Sequence, residues 1–322
     1  LHRPGRAAAA GGRLHTIDPV TSTRTAGERL GPNTCSVAAR RRSDPLVGSA
    51  PPAKGWLIFE HPGPWPTKAS AVFGSLGPEL DARTLAQEVR PMLVRRPGRD
   101  GVTATGWSWW LVDSMSSTST SGVWATVEDV AAALDLVDMR RAEVSARMRP
   151  ADPMILVCTH AKHDVCCAVR GRPIAADLAR EWPELVWECS HLGGDRFAGN
   201  VVMLPDSTFY GGLDGDGAGR VVAEHLAGEV SLEHYRGSGM HTSATQAAVA
   251  ELLRRHGSRR LADVRVTGVH TVSAGVWAVD LAGQGDLPPV TTLTVERHWR
   301  TPERLTCSGL QPTTAAEYAV RA

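Results

Sequence analysis

Residues 153–167 read PMILVCTHAKHDVCC. The run MILV (154–157) has no polar break, and strands buried on both faces of a sheet are continuously apolar in this way. Cys158 closes the run, and Cys167 lies at the far end of a loop that holds His160, His163, Asp164 and Cys166. Ligands at a strand end and around the following loop can converge on one centre. PIAADLAREW then predicts a helix with Pro173 in its first turn. LVWECSH (185–191) predicts a second strand, ending at His191. HLGGDRFAGN is a glycine-rich loop. NVVMLP and TFYGGL predict two strands joined at Pro205-Asp206-Ser207. DGAGRVVAEHLAG predicts a helix that stops at Gly228. The order β-α-β-β-β-α is that of an α/β, thioredoxin-like layer of sheet and helices. If the strands ending at Cys158 and His191 are parallel, both residues stand at C-terminal strand ends, where open α/β sheets place their sites.

Upstream, GWLIFE (55–60) predicts a buried strand and HPGPWP a loop, because its prolines exclude helix. Residues 79–90 predict a helix, WSWWLV (107–112) a strand and residues 126–138 a second helix capped by Thr126. GWLIFEHPGPWP and PMILVCTHAKHDVCC share a strand, loop and helix order, an internal echo that would make the first half a degenerate thioredoxin-like repeat and put HPGPWP beside the site. Downstream, SATQAAVAELLRRHG predicts an amphipathic helix. ADVRVTGVHTV, GVWAVDLAG and PVTTLTVERHW alternate as an antiparallel meander with one wet face. The expected organisation is a disordered leader or linker (1–52, with the charge run Arg40–Arg42), an N-terminal α/β segment (53–150), a thioredoxin-like domain (151–235) and a C-terminal α+β segment with its tail (236–322).

The chain has 322 residues, 42% of them hydrophobic, with 35 basic against 34 acidic side chains. That balance gives no general pull toward nucleic acid or an anionic membrane surface. No apolar run approaches the roughly 20 residues of a membrane span. Six cysteines are too few for a disulfide scaffold at this length. Three fall within 158–167 and a fourth at 189, which points to a metal or redox site in a reducing compartment, with a cytoplasmic location expected.

A cysteine at a strand end is, taken alone, a small buried hydrophobe. Cys158, Cys167 and His191 together, with a glycine-rich loop, point to metal or cluster binding, and zinc suits such a donor set as well as iron does. Lys162, Arg170 and Arg172 are candidates to offset the negative charge. His160 and His163 read as solvated loop residues that can also tune the site. Cys166 is expected to point away from Cys167, Cys189 to be structural, and Cys35 and Cys307 to have no chemical role.

The pair C-x8-C and H-x-G-G-D-R-F-A, with FYGGL and HYRGSG, resembles the sucrase/ferredoxin-like family of thioredoxin-like ferredoxins. The resemblance runs from about residue 55 through the third meander strand and is strongest over 153–240. It implies a [2Fe-2S] cluster held by two cysteines and two histidines. By position these fall on Cys158, Cys167, His191 and Asp195, the last a departure from histidine; Cys189, Cys166 and His160 are the nearest alternative donors. The resemblance implies one-electron transfer between redox partner proteins, a reductase and an acceptor, rather than turnover of a substrate. The word sucrase does not imply sugar hydrolysis, and no carboxylate pair is readable for it. The rival readings are a thiol redox enzyme using Cys166 and Cys167, and a zinc-stabilised or metal-free binding module.

Overall fold

The computed structural model describes residues 30–98, 106–138 and 148–321. Among these, 14 strands form two sheets. The strands are β1 (Gly55–Glu60), β2 (Val89–Arg95), β3 (Trp107–Asp113), β4 (Thr118–Trp124), β5 (Arg149–Pro150), β6 (Met154–Cys158), β7 (Val186–Cys189), β8 (Val201–Leu204), β9 (Thr208–Tyr210), β10 (Tyr235–Ser238), β11 (Val264–Ser273), β12 (Val276–Gly283), β13 (Thr291–Trp299) and β14 (Ala316–Arg321). The helices are α1 (Cys35–Arg41), α2 (Gly77–Ala86), α3 (Val127–Asp138), α4 (Val165–Glu181), α5 (Gly215–Leu226) and α6 (Ser243–Arg255).

The large sheet runs β10-β9-β8-β6-β7-β2-β1-β3-β4-β5. β6 and β7 are parallel, and β8 and β9 continue antiparallel from β6. β1 and β2 are likewise parallel, with β3 and β4 antiparallel beyond β1. Each half therefore has the element order β-α-β-β-β-α and the same strand order, which the sequence echo had suggested. The halves meet edge to edge where β2 pairs antiparallel with β7, through Val94↔Cys189 and Arg95↔Glu188. An Arg95–Glu188 ion pair at 2.7 Å and Arg96 stacked 3.6 Å over Trp187 clasp this junction.

β6 is apolar throughout because both its faces are covered. Successive side chains on a strand point to opposite faces, so Ile155 and Val157 enter the core beneath α4 and α5, while Met154, Leu156 and Cys158 enter the opposite core. That second core also holds Cys35, Cys166, Cys167 and Cys189. The meander strands β11–β14 form the second sheet, and α6 fills the space between it and β10.

Several expectations are corrected. Residues 30–52 are not a disordered leader: α1 packs on the 195–197 turn, and Cys35, Ala39 and Ala50 are buried. Residues 1–29 of the proposed leader lie outside the described residues. The helix expected over 79–90 ends at Ala86 and gives way to β2. α4 begins eight residues before Pro173, which lies inside the helix rather than in its first turn. Asp164 is the N-cap, accepting a hydrogen bond from the Cys166 N–H at 2.8 Å. β4, β10 and β14 were not foreseen.

Candidate metal centre

Three local devices bring the donors together. Cys158 is fixed at the tip of β6, its N–H donating to the Asn200 carbonyl at 3.0 Å. α4 crosses this tip so closely that a Cβ on Gly171 would lie 2.0 Å from the Cys158 carbonyl oxygen, and this approach sets Cys167, in the first turn of α4, beside Cys158. The third device is the His191–Asp195 loop. Gly193 and Gly194 take left-handed φ values of 87° and 78°, a conformation that favours glycine. A Cβ on Gly194 would also meet the Arg236 guanidinium at 2.4 Å. Arg236 donates to the Gly193 carbonyl and to Asn200 Oδ1, both at 2.9 Å, and Asn200 donates to the Gly194 carbonyl at 2.9 Å.

Ligand atoms of Cys158, Cys167 and His191 all lie within 4.8 Å of one another, and so do those of His163, His191 and Asp195. The Cys167 thiol donates to Asp195 Oδ1 at 3.3 Å. Asp195 Oδ1 is 3.1 Å from His191 Nδ1, but the ring nitrogen is not aligned for a hydrogen bond and has no other partner. His163 stacks on His191 with ring centroids 3.5 Å apart, and its Nε2 is 3.7 Å from Asp195 Oδ2. All four residues assigned by position therefore meet, and His163 joins them. A buried ring nitrogen without an aligned partner, among two thiols and a carboxylate, suits a metal ion by its donor chemistry.

The electrostatics favour an anionic sulfur. Hydrogen bonding from Cys167 pulls the Cys158 thiol well below its usual range against the cost of burial, helped by His191 and the Leu192 N–H. The same contact, with burial, raises Cys167. Burial opposes charge on His191, but the adjacent Asp195 and Cys158 outweigh it and raise its pKa to about 9. Two cations stand nearby, Arg236 fully buried and Arg90 half-buried. Burial lowers Arg90 to about 10 and Arg236 to about 9, and the Cys158 sulfur partly offsets both shifts. The cations expected in this role are elsewhere: Lys162 and Arg172 are exposed, and Arg170 donates to Ser36 Oγ at 3.0 Å.

The alternative fourth donors are not available in this arrangement. His160 Nε2 is 2.8 Å from the Pro66 carbonyl, in the HPGPWP loop that does sit beside the site, and His160 belongs to neither group of converging donor atoms. Cys189 is fully buried on β7, where burial pushes its thiol far up. Cys166 turns to Cys35 and Cys307, away from Cys167, so the two neighbouring cysteines do not form a thiol pair. Cys35 and Cys307 are thus not the isolated residues expected. The centre is closed on its sulfur side, with Cys158 and Cys167 each 1% exposed. Its imidazole side opens into a surface cleft lined by His160, His163, His191, Lys68 and Phe73.

The family model described as sucrase/ferredoxin-like matches residues 46–237, more than half of the chain and the whole of this centre. The chain belongs to the sucrase/ferredoxin-like family. No curated protein and no solved structure matches it. In this sucrase/ferredoxin-like protein a buried, cysteine-rich site has donor atoms close enough together that it could hold a metal ion, and among the described residues no helix is long and apolar enough to cross a membrane. His163, Arg90 and Arg236 are the site residues that sequence spacing did not assign.

Proposed function

We propose that this protein is a one-electron carrier whose centre is a [2Fe-2S] cluster held by Cys158, Cys167 and His191, with Asp195 as the fourth ligand. The reading is supported above all by the convergence of two cysteines and a histidine in one buried pocket within the family-matched segment. When bound, such a cluster accepts and releases one electron, at a potential set by its ligands, charge and hydrogen bonds. Cys158 and Cys167 supply thiolates from the closed side, and Arg90 and Arg236 moderate their charge. His191 supplies its imidazole from the cleft side, where redox partner proteins can dock. Cytoplasmic location is part of the same proposal, since free thiols persist under reducing conditions.

Anaerobic purification with iron and sulfide quantitation tests the reading. Visible absorption with iron and acid-labile sulfide at about two each per chain supports it. One observation favours a second reading: donor atoms within 4.8 Å of one another are compact enough for a single ion. Colourless protein with zinc lost on substituting Cys158 would establish that zinc-stabilised module instead.

The fourth position has its own test. Asp195→Ala is expected to shift the visible spectrum and shorten cluster lifetime in air, whereas His163→Ala should leave both near wild type. If the effects are reversed, His163 is the ligand and Asp195 only orients His191. Asp195→His should restore lifetime and raise the reduction potential, because a neutral imidazole replaces a carboxylate.

A further inference from the structure

The three cysteines that the proposed redox centre does not use are not scattered. Cys35 opens α1, Cys166 lies in the first turn of α4, and Cys307 sits in the loop between β13 and β14. Their sulfurs form a nearly equilateral triangle: Cys35–Cys166 3.7 Å, Cys166–Cys307 3.5 Å and Cys307–Cys35 3.5 Å. Asp164 Oδ2 lies 3.5 Å from the Cys35 sulfur. In a tetrahedral zinc site with bonds of about 2.3 Å to sulfur and 2.0 Å to oxygen, S–S edges are about 3.8 Å and S–O edges about 3.5 Å. The three S–S edges and the Cys35–Asp164 edge match these lengths, and all four donor atoms lie within 4.8 Å of one another.

We propose that Cys35, Cys166, Cys307 and Asp164 bind a single thiophilic divalent ion of the zinc class, at a site separate from the centre at Cys158. Three sulfurs in mutual contact are not a disulfide arrangement, because one bridge would leave the third thiol unpaired and an S–S bond needs about 2.05 Å. A multi-iron cluster is equally unsuited, since it spreads its thiolates over separate irons. The surroundings match a thiolate ion site. The Cys35 N–H donates to the Cys307 sulfur at 3.3 Å. Asp164 is oriented by the Cys307 N–H at 2.6 Å, the Thr306 hydroxyl at 3.1 Å and the Cys166 N–H at 2.8 Å, partners of the kind that fix a metal-binding carboxylate. Arg170, held on Ser36, and Arg42 supply cations close by. The ion would tie α1 and the 306–308 loop to the first turn of α4. Metal-free, the same contacts are weak thiol interactions.

Cobalt(II) is the probe, because thiolate-bound tetrahedral cobalt has strong sulfur-to-metal charge-transfer and visible bands. Reduced Cys158→Ala/Cys167→Ala protein, which lacks the first site's sulfurs, is expected to bind one equivalent with these bands and to release it to zinc. Adding Cys307→Ala, on a partly exposed loop, should weaken cobalt binding by more than about tenfold. In the otherwise native chain, Cys307→Ala should lower bound zinc by one equivalent and leave iron unchanged, which separates this site's failure from failure of the redox proposal and does not depend on the triple variant folding. Cobalt bound without charge-transfer bands, unchanged binding after Cys307→Ala, or a disulfide among Cys35, Cys166 and Cys307 in the native protein overturns the proposal.

Discussion

Cys158→Ala is expected to yield folded protein without visible absorption and with iron at background. The sulfur it removes is one that its surroundings prepare to be an anion. Hydrogen bonding from Cys167 favours its charged form, His191 and the Leu192 N–H add to this, and together they overcome complete burial. No other thiol can take its place. Cys189 is register partner to Cys158 on the adjacent strand, fully buried and far from ionising. Cys166 faces Cys35. The fold should survive, because β6 remains apolar on both faces and the lost volume is close to one methyl group, a cost of about 1 kcal/mol. Iron assay, absorption and a thermal melt on the same sample check both halves of the expectation. Retained colour at wild-type iron content would remove Cys158 from the ligand set.

Gly171→Ala is expected to lower stability by about 2 kcal/mol or more and to reduce metal content with it. In an exposed helix the change would gain about 1 kcal/mol, because alanine is the better helix former. Here the new Cβ would sit 2.0 Å from the Cys158 carbonyl oxygen and 3.3 Å from Thr159 Cγ2. The first contact is to backbone, which cannot rotate aside, so α4 must lift from β6. Overpacking of this kind costs about 1–3 kcal/mol and more where relief is blocked. Lifting α4 also draws Cys167 from Cys158. Gly219→Ala is the control. It lies in α5 with nothing within 4 Å of the new Cβ, so it should be neutral or stabilise by up to about 1 kcal/mol. Equal melts for the two variants would mean that the close approach does not hold the site.

The site's main donors were legible because they lie on two elements with strong local signals. An unbroken apolar run ended at Cys158, and a second strand, which closes at Cys189 rather than at His191 as expected, led into His191 and two glycines. The meander was legible from its alternation, although its last strand was not. β2 was missed because VRPMLVR carries a proline and two charges, the marks of a loop or a helix end. It holds Pro91 because β7 joins β2 only at Val94 and Arg95, leaving a free edge where proline is tolerated. β4, TSTSGVW, was missed because it lies near the sheet margin and carries too little apolar pattern to read as a strand. Arg90, Arg236, Cys35 and Cys307 were illegible for a different reason. Each reaches its partners across long stretches of chain, as the separation of 272 positions from Cys35 to Cys307 shows, and no spacing rule spans such a distance. A cysteine beside arginines near the N-terminus then looks like one more residue of a solvated tail.

The sulfur side of the proposed redox centre is walled in, and His163 and His191, with side chains 31% and 25% exposed, face the cleft. Among the described residues, this cleft is the opening that the proposed centre offers to charge entering and leaving. If a donor and an acceptor both use that opening, they must take turns at it, and no ternary complex is expected. Turnover measured against both partners should give parallel reciprocal plots, and an excess of oxidised donor should slow delivery to the acceptor.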